Sequence, residues 1–245
     1  MLLLAIDTST PTVTAGVVSL LRPHELIGAD GGATDRPLRV LAERSVTDAF
    51  AHVEQLIPLV LDALSEAGAG LPSVEAVVVG LGPGPFTGLR VGIATAQALG
   101  DALDLPVHGV GSHDAAARAH LHGLPGPAED AFLVVTDARR REVYLSGYAA
   151  DGRRLVGPLP VAPAAVPGLL AEHQLAPSLL VGAGASLLSD VLDVPTSPAT
   201  GTSAGLVLAA ARALLTAAVP GPLTPLYLRR PDATEPAARK SVLGR

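Results

Sequence analysis

The chain is poor in several residue types that commonly carry chemistry. It has no cysteine and no tryptophan, and only three phenylalanines and three tyrosines among 245 residues. The lack of cysteine excludes disulfides, thiolate catalysis and cysteine-ligated metals. Pro and Gly interrupt every apolar run before it reaches the roughly 20 residues that span a bilayer. Because Asp7 follows the first apolar residues and no basic segment precedes them, we expect no secretory signal and a cytoplasmic protein.

Positive charge is also limited, since Lys240 is the only lysine beside sixteen arginines and the formal net charge is −6. Such a surface repels a phosphate backbone, so nucleic acid would need a local basic patch or another subunit. The run Arg139-Arg140-Arg141 is a dense cluster, although a solvated turn is its simpler interpretation. Apolar residues are abundant, at 49% of the chain. They predict a folded protein with an aliphatic core.

Hydrophobic periodicity predicts an α/β protein whose two halves each open with a hairpin. The predicted elements of the first half are, in order, strands 2–6, 13–20 and 39–46, a helix 48–67 that contains Pro58, a strand 74–79, a helix 87–103 and a strand 105–110. The second half has strands 132–136, 142–148 and 178–181, a glycine turn 182–186 that leads into a helix, and a helix 203–218. We therefore expect a first lobe at 1–110, a smaller lobe at 111–231 whose last helix returns to the first, and a mobile tail at 232–245.

A glycine-rich loop at 80–92 connects a β-branched strand to a helix and reads Gly-Leu-Gly-Pro-Gly-Pro-Phe-Thr-Gly-Leu-Arg-Val-Gly. A helix N-terminus with free N–H groups favours anions. No lysine follows Gly88, however, and Thr87 stands where a dinucleotide fingerprint needs its third glycine. Gly88, Gly92, Ala96 and Gly100 recur every fourth residue and predict a ridge that lets another helix pack closely. A phosphate cradle and a helix-positioning turn both remain open.

Polar residues offer two further candidate sites. His108, His113, His120 and His122 lie close in sequence, but their spacing favours solvated helix histidines, and we predict no metal site. The turn Asp7-Thr8-Ser9-Thr10 has the groups to contact phosphates or a magnesium shell. The same groups commonly form hydrogen bonds within their own turn, so this segment alone does not distinguish a binding site from a structural turn.

Several motifs occur in order along the chain: Leu4-Ala5-Ile6-Asp7-Thr8-Ser9-Thr10, His52 with Leu56-Ile57-Pro58, the glycine segment 82–92, Asp137-Ala138-Arg139 with Glu142-Val143-Tyr144, and Pro225-Leu226-Tyr227-Leu228-Arg229. Together they resemble the bacterial TsaB family, formerly YeaZ. The resemblance implies an actin-like, Hsp70-like (ASKHA) α/β fold of two related lobes, with mixed sheets flanked by helices. It also implies a non-catalytic subunit of the complex that makes N6-threonylcarbamoyladenosine (t6A) in tRNA.

The same resemblance implies partners. They are the transferase TsaD and the ATPase TsaE, with a homodimer when the chain is alone, tRNA reached through the complex, and no membrane. No cofactor is required by the chain itself, and ATP or ADP is expected at the level of the complex. The implied partner contacts lie on the first two long helices, at His52, Leu56, Leu59, Leu89, Ile93 and Gln97, and the candidate nucleotide contacts are Thr8, Ser9 and Thr10.

The chain departs from the catalytic relative of that family at two places. Pro11 and Thr12 stand where the relative carries the two later acids of its first turn. Ser112 and Ala116 align with the relative's two metal-binding histidines. Both departures favour a subunit without catalysis of its own. The alternative is a stand-alone enzyme, either a nucleotide-binding protein of the actin-like class or a metallopeptidase.

Overall fold

A computed structural model describes residues 1–26, 37–47, 52–197 and 202–229. The predicted tail 232–245 and the predicted first turn of the helix at 48–51 lie outside the described residues. Within the described parts, the strands form two five-stranded sheets, and helices cover their faces. No helix in these parts is long and apolar enough to cross a membrane.

The first sheet has the strand order β3-β2-β1-β4-β5. The three strands β1 to β3 are antiparallel, whereas β4 and β5 run parallel to β1. Its strands are β1 Leu2–Asp7, β2 Thr12–Leu20, β3 Leu38–Thr47, β4 Ala76–Gly80 and β5 Val107–Val110. Both faces of β1 and β4 are buried, and this burial explains their continuous apolar sequences.

The second sheet repeats this topology. Its strands are β6 Phe132–Asp137, β7 Val143–Tyr148, β8 Arg154–Val161, β9 Leu179–Val181 and β10 Thr196–Ser197. Three antiparallel strands, β6 to β8, are followed by β9 and β10, which run parallel to β6. Read from β8, the order β8-β7-β6-β9-β10 matches that of the first sheet. The prediction of two related lobes is thus confirmed.

Five α-helices connect and cover the sheets: α1 His52–Glu66, α2 Phe86–Leu103, α3 Ser112–His122, α4 Val166–Glu172 and α5 Ser203–Leu215. The helices α1 and α2 pack on one face of the first sheet, and α5 packs on the other face with Ala115 of α3. Ala116 and Ala117 of α3 contact the second sheet. The helix α3 therefore lies between the lobes, and the last helix packs on the first lobe.

Two elements of the second lobe differ from the expectation. The sequence analysis missed β8, since Pro158 and Pro160 weaken its strand pattern. Proline is tolerated there because β8 is an edge strand, where a missing N–H costs no ladder bond. The glycine turn at 182–186 leads into one 3-10 turn, Ala185–Leu188, rather than into the predicted longer helix.

Candidate functional site

The turn between β1 and β2 uses its polar groups internally. Thr8 is fully buried, and its hydroxyl donates a 2.7 Å hydrogen bond to the carbonyl oxygen of Gly88 at the start of α2. The Ser9 N–H donates to Asp7 Oδ1 at 2.7 Å. The hydroxyl of Thr10 donates to the Thr12 carbonyl oxygen at 3.1 Å. Thr8, a candidate nucleotide contact, instead joins this turn to α2.

Ser9 and Thr10 line a cleft between the two lobes, together with Asp7, Ser112, His113 and Thr136. The space that water can occupy in this cleft is about 30 Å³. One water needs about 10–15 Å³, whereas sites for small-molecule ligands occupy about 300–1,000 Å³. In this conformation the cleft has room for one or two waters and is too small for a nucleotide.

Two titratable groups at the cleft are deeply buried. Burial raises the pKa of Asp7, and hydrogen bonds from Ser9 partly oppose that rise. Burial, with a smaller contribution from Arg154, lowers the pKa of His113 to about 3. A neutral imidazole has one donor and one acceptor nitrogen, and His113 uses both. Its Nδ1 pairs with the Ser146 hydroxyl and its Nε2 with the Thr136 hydroxyl, each at 2.9 Å.

The histidines do not converge. His113 ties α3 to β6 and β7 and is 1% exposed, so the expectation of a solvated helix histidine is wrong at this position. His120 packs its ring 5.0 Å from that of Phe132, and His108 is buried in β5. Among the residues that the structure describes, no three His, Asp or Glu side chains group closely enough to hold a metal ion.

The glycine loop closes against protein backbone. A β-carbon at Gly84 would lie 2.1 Å from the Ser9 carbonyl oxygen, so only glycine permits this approach. The Gly82 N–H donates to the Ser112 hydroxyl at 3.2 Å, and the Ser112 N–H donates to the Gly82 carbonyl oxygen at 2.8 Å. These contacts fix the loop to the β1–β2 turn and to the start of α3. The geometry favours the helix-positioning interpretation of the loop.

The ridge of small residues on α2 faces the sheet and not another helix. A β-carbon at Gly92 would lie 2.3 Å from Thr8 Oγ1, and one at Gly100 would lie 2.3 Å from Val107 Cγ2. Ala96 is buried in the core beneath the first sheet, and Gly88 accepts the bond from Thr8. The predicted helix partner is therefore wrong for Gly92 and Gly100, whereas for Gly88 and Ala96 it stays a prediction. Close approach to a strand requires the same small residues as close approach to a helix, and the spacing does not distinguish them.

The candidate partner contacts on α1 and α2 differ in how deeply they are buried. Leu56 and Leu89 are fully buried, so their assignment to a partner surface is wrong. Leu59 and Ile93 are half-buried at the edge of the core. Gln97 is exposed and donates from its Nε2 to Asp101 Oδ1 at 2.8 Å. His52 begins α1, and its side chain lies outside the described part of the structure.

The sequence analysis missed the exposed apolar residues of α1. Ile57 is 42% exposed and Leu61 is 49% exposed, and they lie one helical turn apart. Helical periodicity places both in the same apolar stripe as the buried Leu56 and Val60. The stripe is wider than the face that a helix buries, and this width was a usable signal. On the neighbouring α2, Ala94, Ala98 and Ala102 form an exposed row of small side chains. We call Ile57, Leu61, Ala94, Ala98 and Ala102 the α1–α2 face.

The repeated topology of the lobes and the polar cleft between them define a protein of the actin-like, Hsp70-like α/β class. The solved structure of YeaZ from Pseudomonas aeruginosa has the same fold, with a TM-score of 0.65 at 24% sequence identity. That match covers 92% of this chain and all of the other. The predicted fold class is confirmed.

Sequence comparisons identify the family. The model for TsaD, tRNA N6-adenosine threonylcarbamoyltransferase, matches residues 42–230. A protein of Mycobacterium tuberculosis is 47% identical over 232 residues, which cover 94% of this chain and 92% of that protein. The tRNA threonylcarbamoyladenosine biosynthesis protein TsaB of Haemophilus influenzae is 36% identical over 146 residues, or 59% of this chain and 52% of that protein. The chain belongs to the TsaB (YeaZ) family, within the wider family that the TsaD model describes.

Proposed function

We propose that this chain is a non-catalytic subunit of the complex that makes N6-threonylcarbamoyladenosine in tRNA. In that role it binds and supports the TsaD transferase and allows the TsaE ATPase to join. The Haemophilus influenzae relative is named for threonylcarbamoyladenosine biosynthesis, which supports the reaction, and the match to the TsaD model supports a partner of related fold. The observation that carries the subunit role is the exposed α1–α2 face.

The α1–α2 face has the properties of a protein-binding surface. Ile57 and Leu61 expose aliphatic side chains on a helix whose adjoining side already fills the core of the first lobe. Burying a large aliphatic side chain contributes about 1.5–3 kcal/mol relative to leaving it in water. The neighbouring row of Ala94, Ala98 and Ala102 presents no long side chain, so a partner helix can approach α2 closely. We assign this face to TsaD, and to a second copy of the chain when TsaD is absent.

The polar residues near the cleft support the absence of catalysis. Ser112, which aligns with a metal-binding histidine of the catalytic relative, bonds through its hydroxyl to the glycine loop. His113, one residue further on, has both ring nitrogens engaged by hydroxyls. Thr12, which replaces an acid of the relative, shares a 2.8 Å hydrogen bond with Thr47 of β3. These groups hold the lobes and strands together instead of facing a substrate.

Reconstitution tests the proposal. TsaD, TsaE and tRNA are assayed for threonylcarbamoyladenosine with and without this chain, and we expect product only when the chain is present. A double substitution, Ile57→Arg with Leu61→Arg, should abolish both co-elution with TsaD and product formation. Leu155→Arg with Leu187→Arg is the matched control, because these leucines are 39% and 46% exposed but lie on the second lobe. Product formation without the chain would refute the proposal.

The stand-alone enzyme is tested separately with the isolated chain. Calorimetry with Mg-ATP should detect no tight binding, since the lobes leave so little space in the cleft. Sedimentation of the isolated chain should give a dimer that the same double arginine substitution converts to a monomer. Tight Mg-ATP binding by the isolated chain would favour the nucleotide-binding enzyme.

A further inference from the structure

A second cavity shares no lining residue with the α1–α2 face or with the cleft between the lobes. Its volume is about 560 Å³, within the range of ligand sites. Three segments meet around it: the glycine loop at Gly84–Phe86, the turn between β6 and β7, and the chain at Tyr227–Arg229. None of these residues belongs to the α1–α2 face, so the proposed function leaves this cavity without a role.

The charge around the cavity is opposite in sign to that of the whole chain. Arg139, Arg140 and Arg229 line it against two acids, Asp137 and Glu142, although the chain carries a net charge of −6. Arg229 pairs with Glu142, and Arg139 lies 3.8 Å from Asp137 in an exposed ion pair. An exposed pair of this kind contributes about 0–1 kcal/mol, so a phosphate can compete for the Arg139 guanidinium.

The β6–β7 turn holds three successive arginines, Arg139 to Arg141, in a fixed backbone geometry. Arg139, Arg140 and Arg141 have φ values of 63°, 54° and 61°, a region that costs a residue with a side chain about 1–2 kcal/mol. Hydrogen bonds within the turn fix this conformation, with the Arg139 N–H donating to Asp137 Oδ1 at 2.6 Å. Glycine would occupy these positions at lower cost. Three exposed arginines therefore lie on a turn that does not need their side chains for its shape.

The opposite side of the cavity is aromatic. The rings of Phe86 and Tyr227 have centroids 4.7 Å apart, and the Arg90 guanidinium lies 3.7 Å from the Phe86 centroid. The Arg90 Nε–H donates to the Tyr227 hydroxyl at 2.9 Å and fixes that ring. Tyr227 lines the cavity and is 38% exposed. An ordered aromatic ring beside arginines is suited to stacking a planar base next to a phosphate.

We propose that this cavity binds one unpaired nucleotide of an RNA, with its phosphate at Arg139 and Arg140 and its base against Tyr227. Guanidinium groups bind phosphate oxygens in a bidentate manner, and unpaired bases stack on aromatic side chains. RNA fits better than a free nucleotide because the positive charge continues outside the cavity, at the exposed Arg141. This inference goes beyond the proposed function, in which RNA is reached only through the partner subunits.

The test measures binding of the full chain to a fluorescent RNA hairpin with an unpaired loop, by anisotropy over a series of salt concentrations. Arg139→Glu with Arg140→Glu should weaken binding at least tenfold. Each lost phosphate contact should make the slope of log K against log salt shallower by about 0.7. Arg153→Glu with Arg212→Glu is the control. It makes the same change in net charge at exposed arginines outside the cavity and should bind within about twofold of the unaltered chain.

A second variant tests the base contact without changing charge. Tyr227→Leu removes the ring and should abolish the fluorescence quenching of a 2-aminopurine placed in the RNA loop. A fully paired duplex of the same composition and free AMP are the competitors, and both should compete poorly. Equal binding of the duplex, displacement of the RNA by AMP, or unchanged binding of the Arg139/Arg140 variant would each overturn the inference. None of these results bears on the α1–α2 face. That face is tested by association with TsaD, and its test does not measure RNA binding by the isolated chain.

Discussion

Thr8 and Gly92 approach so closely that the helix residue has no room for a side chain. A β-carbon built at Gly92 would lie 2.3 Å from Thr8 Oγ1 and 3.2 Å from Thr8 Cγ2. The same Thr8 hydroxyl bonds the carbonyl oxygen of Gly88 one turn earlier in α2. The end of β1 thus sets how closely α2 lies on the first sheet, and α2 provides three of the five residues of the α1–α2 face.

Gly92→Ala should destabilise the protein by about 1–3 kcal/mol, because the added methyl must displace α2 or Thr8. Gly168→Ala is the control. Gly168 also lies in a helix, but its β-carbon would meet no atom within 4 Å. That change should leave stability unchanged or raise it by up to about 1 kcal/mol. Urea unfolding measures both. Adding Thr8→Ala to Gly92→Ala should recover part of the loss, and strict additivity of the two changes would argue against the contact.

Neighbouring residues on α1 should respond differently to truncation. Leu56→Ala should cost about 2–5 kcal/mol of stability, because Leu56 is 0% exposed in the core of the first lobe. Ile57→Ala should change stability by less than about 0.5 kcal/mol and should weaken association with TsaD. Unfolding curves together with a binding titration separate the two effects. If the Leu56 variant were stable but failed to associate with TsaD, Leu56 would have to be assigned to the partner surface after all.

The contribution of His113 to stability should fall as the pH falls, because this side chain is held neutral. Its pKa is lowered from 6.5 to about 3 in the folded protein, so the unfolded chain binds the extra proton between those values. The contribution is complete above pH 6.5 and is lost as the pH falls toward 3, by about 2 kcal/mol between pH 7.5 and pH 5.

His113→Asn isolates this effect, since asparagine keeps one donor and one acceptor but does not titrate. The free energy of unfolding is measured across that pH range for both proteins. Their difference should shrink as the pH falls, because only the histidine protein loses stability from this group. A difference that does not change with pH would contradict the lowered pKa.

The last helix should depend on an acid from the third strand. Glu43 of β3 accepts hydrogen bonds from both the N–H and the hydroxyl of Ser203 at the start of α5. Glu43→Ala leaves these partly buried donors unpaired and should cost about 1–3 kcal/mol. Glu129→Ala, at an exposed position in the linker before β6, is the control and should change stability little. Equal unfolding midpoints for the two variants would show that this bond does not hold α5 in place.

Particular elements show which parts of the fold could be predicted from local sequence patterns. The Val77-Val78-Val79 run and the glycine loop predicted β4 and the start of α2 to within about two residues, because both signals are local. The helix α4 was missed because it is short and its proline-rich surroundings resemble a loop. The exposure of Ile57 and Leu61 could not be predicted, because periodicity gives the apolar stripe and not the depth to which it is buried.

The sequence by itself determined the fold class, the two hairpin-led lobes and the family, since strand and helix periods and the order of the motifs are properties of the chain alone. Only the tertiary structure decided what each small or polar residue contacts. It placed the α2 glycines against Thr8 and Val107, both nitrogens of His113 on hydroxyls, and three arginines beside Tyr227. These contacts join residues far apart in the chain. Spacing along the sequence carries no information about which distant element arrives at a given face.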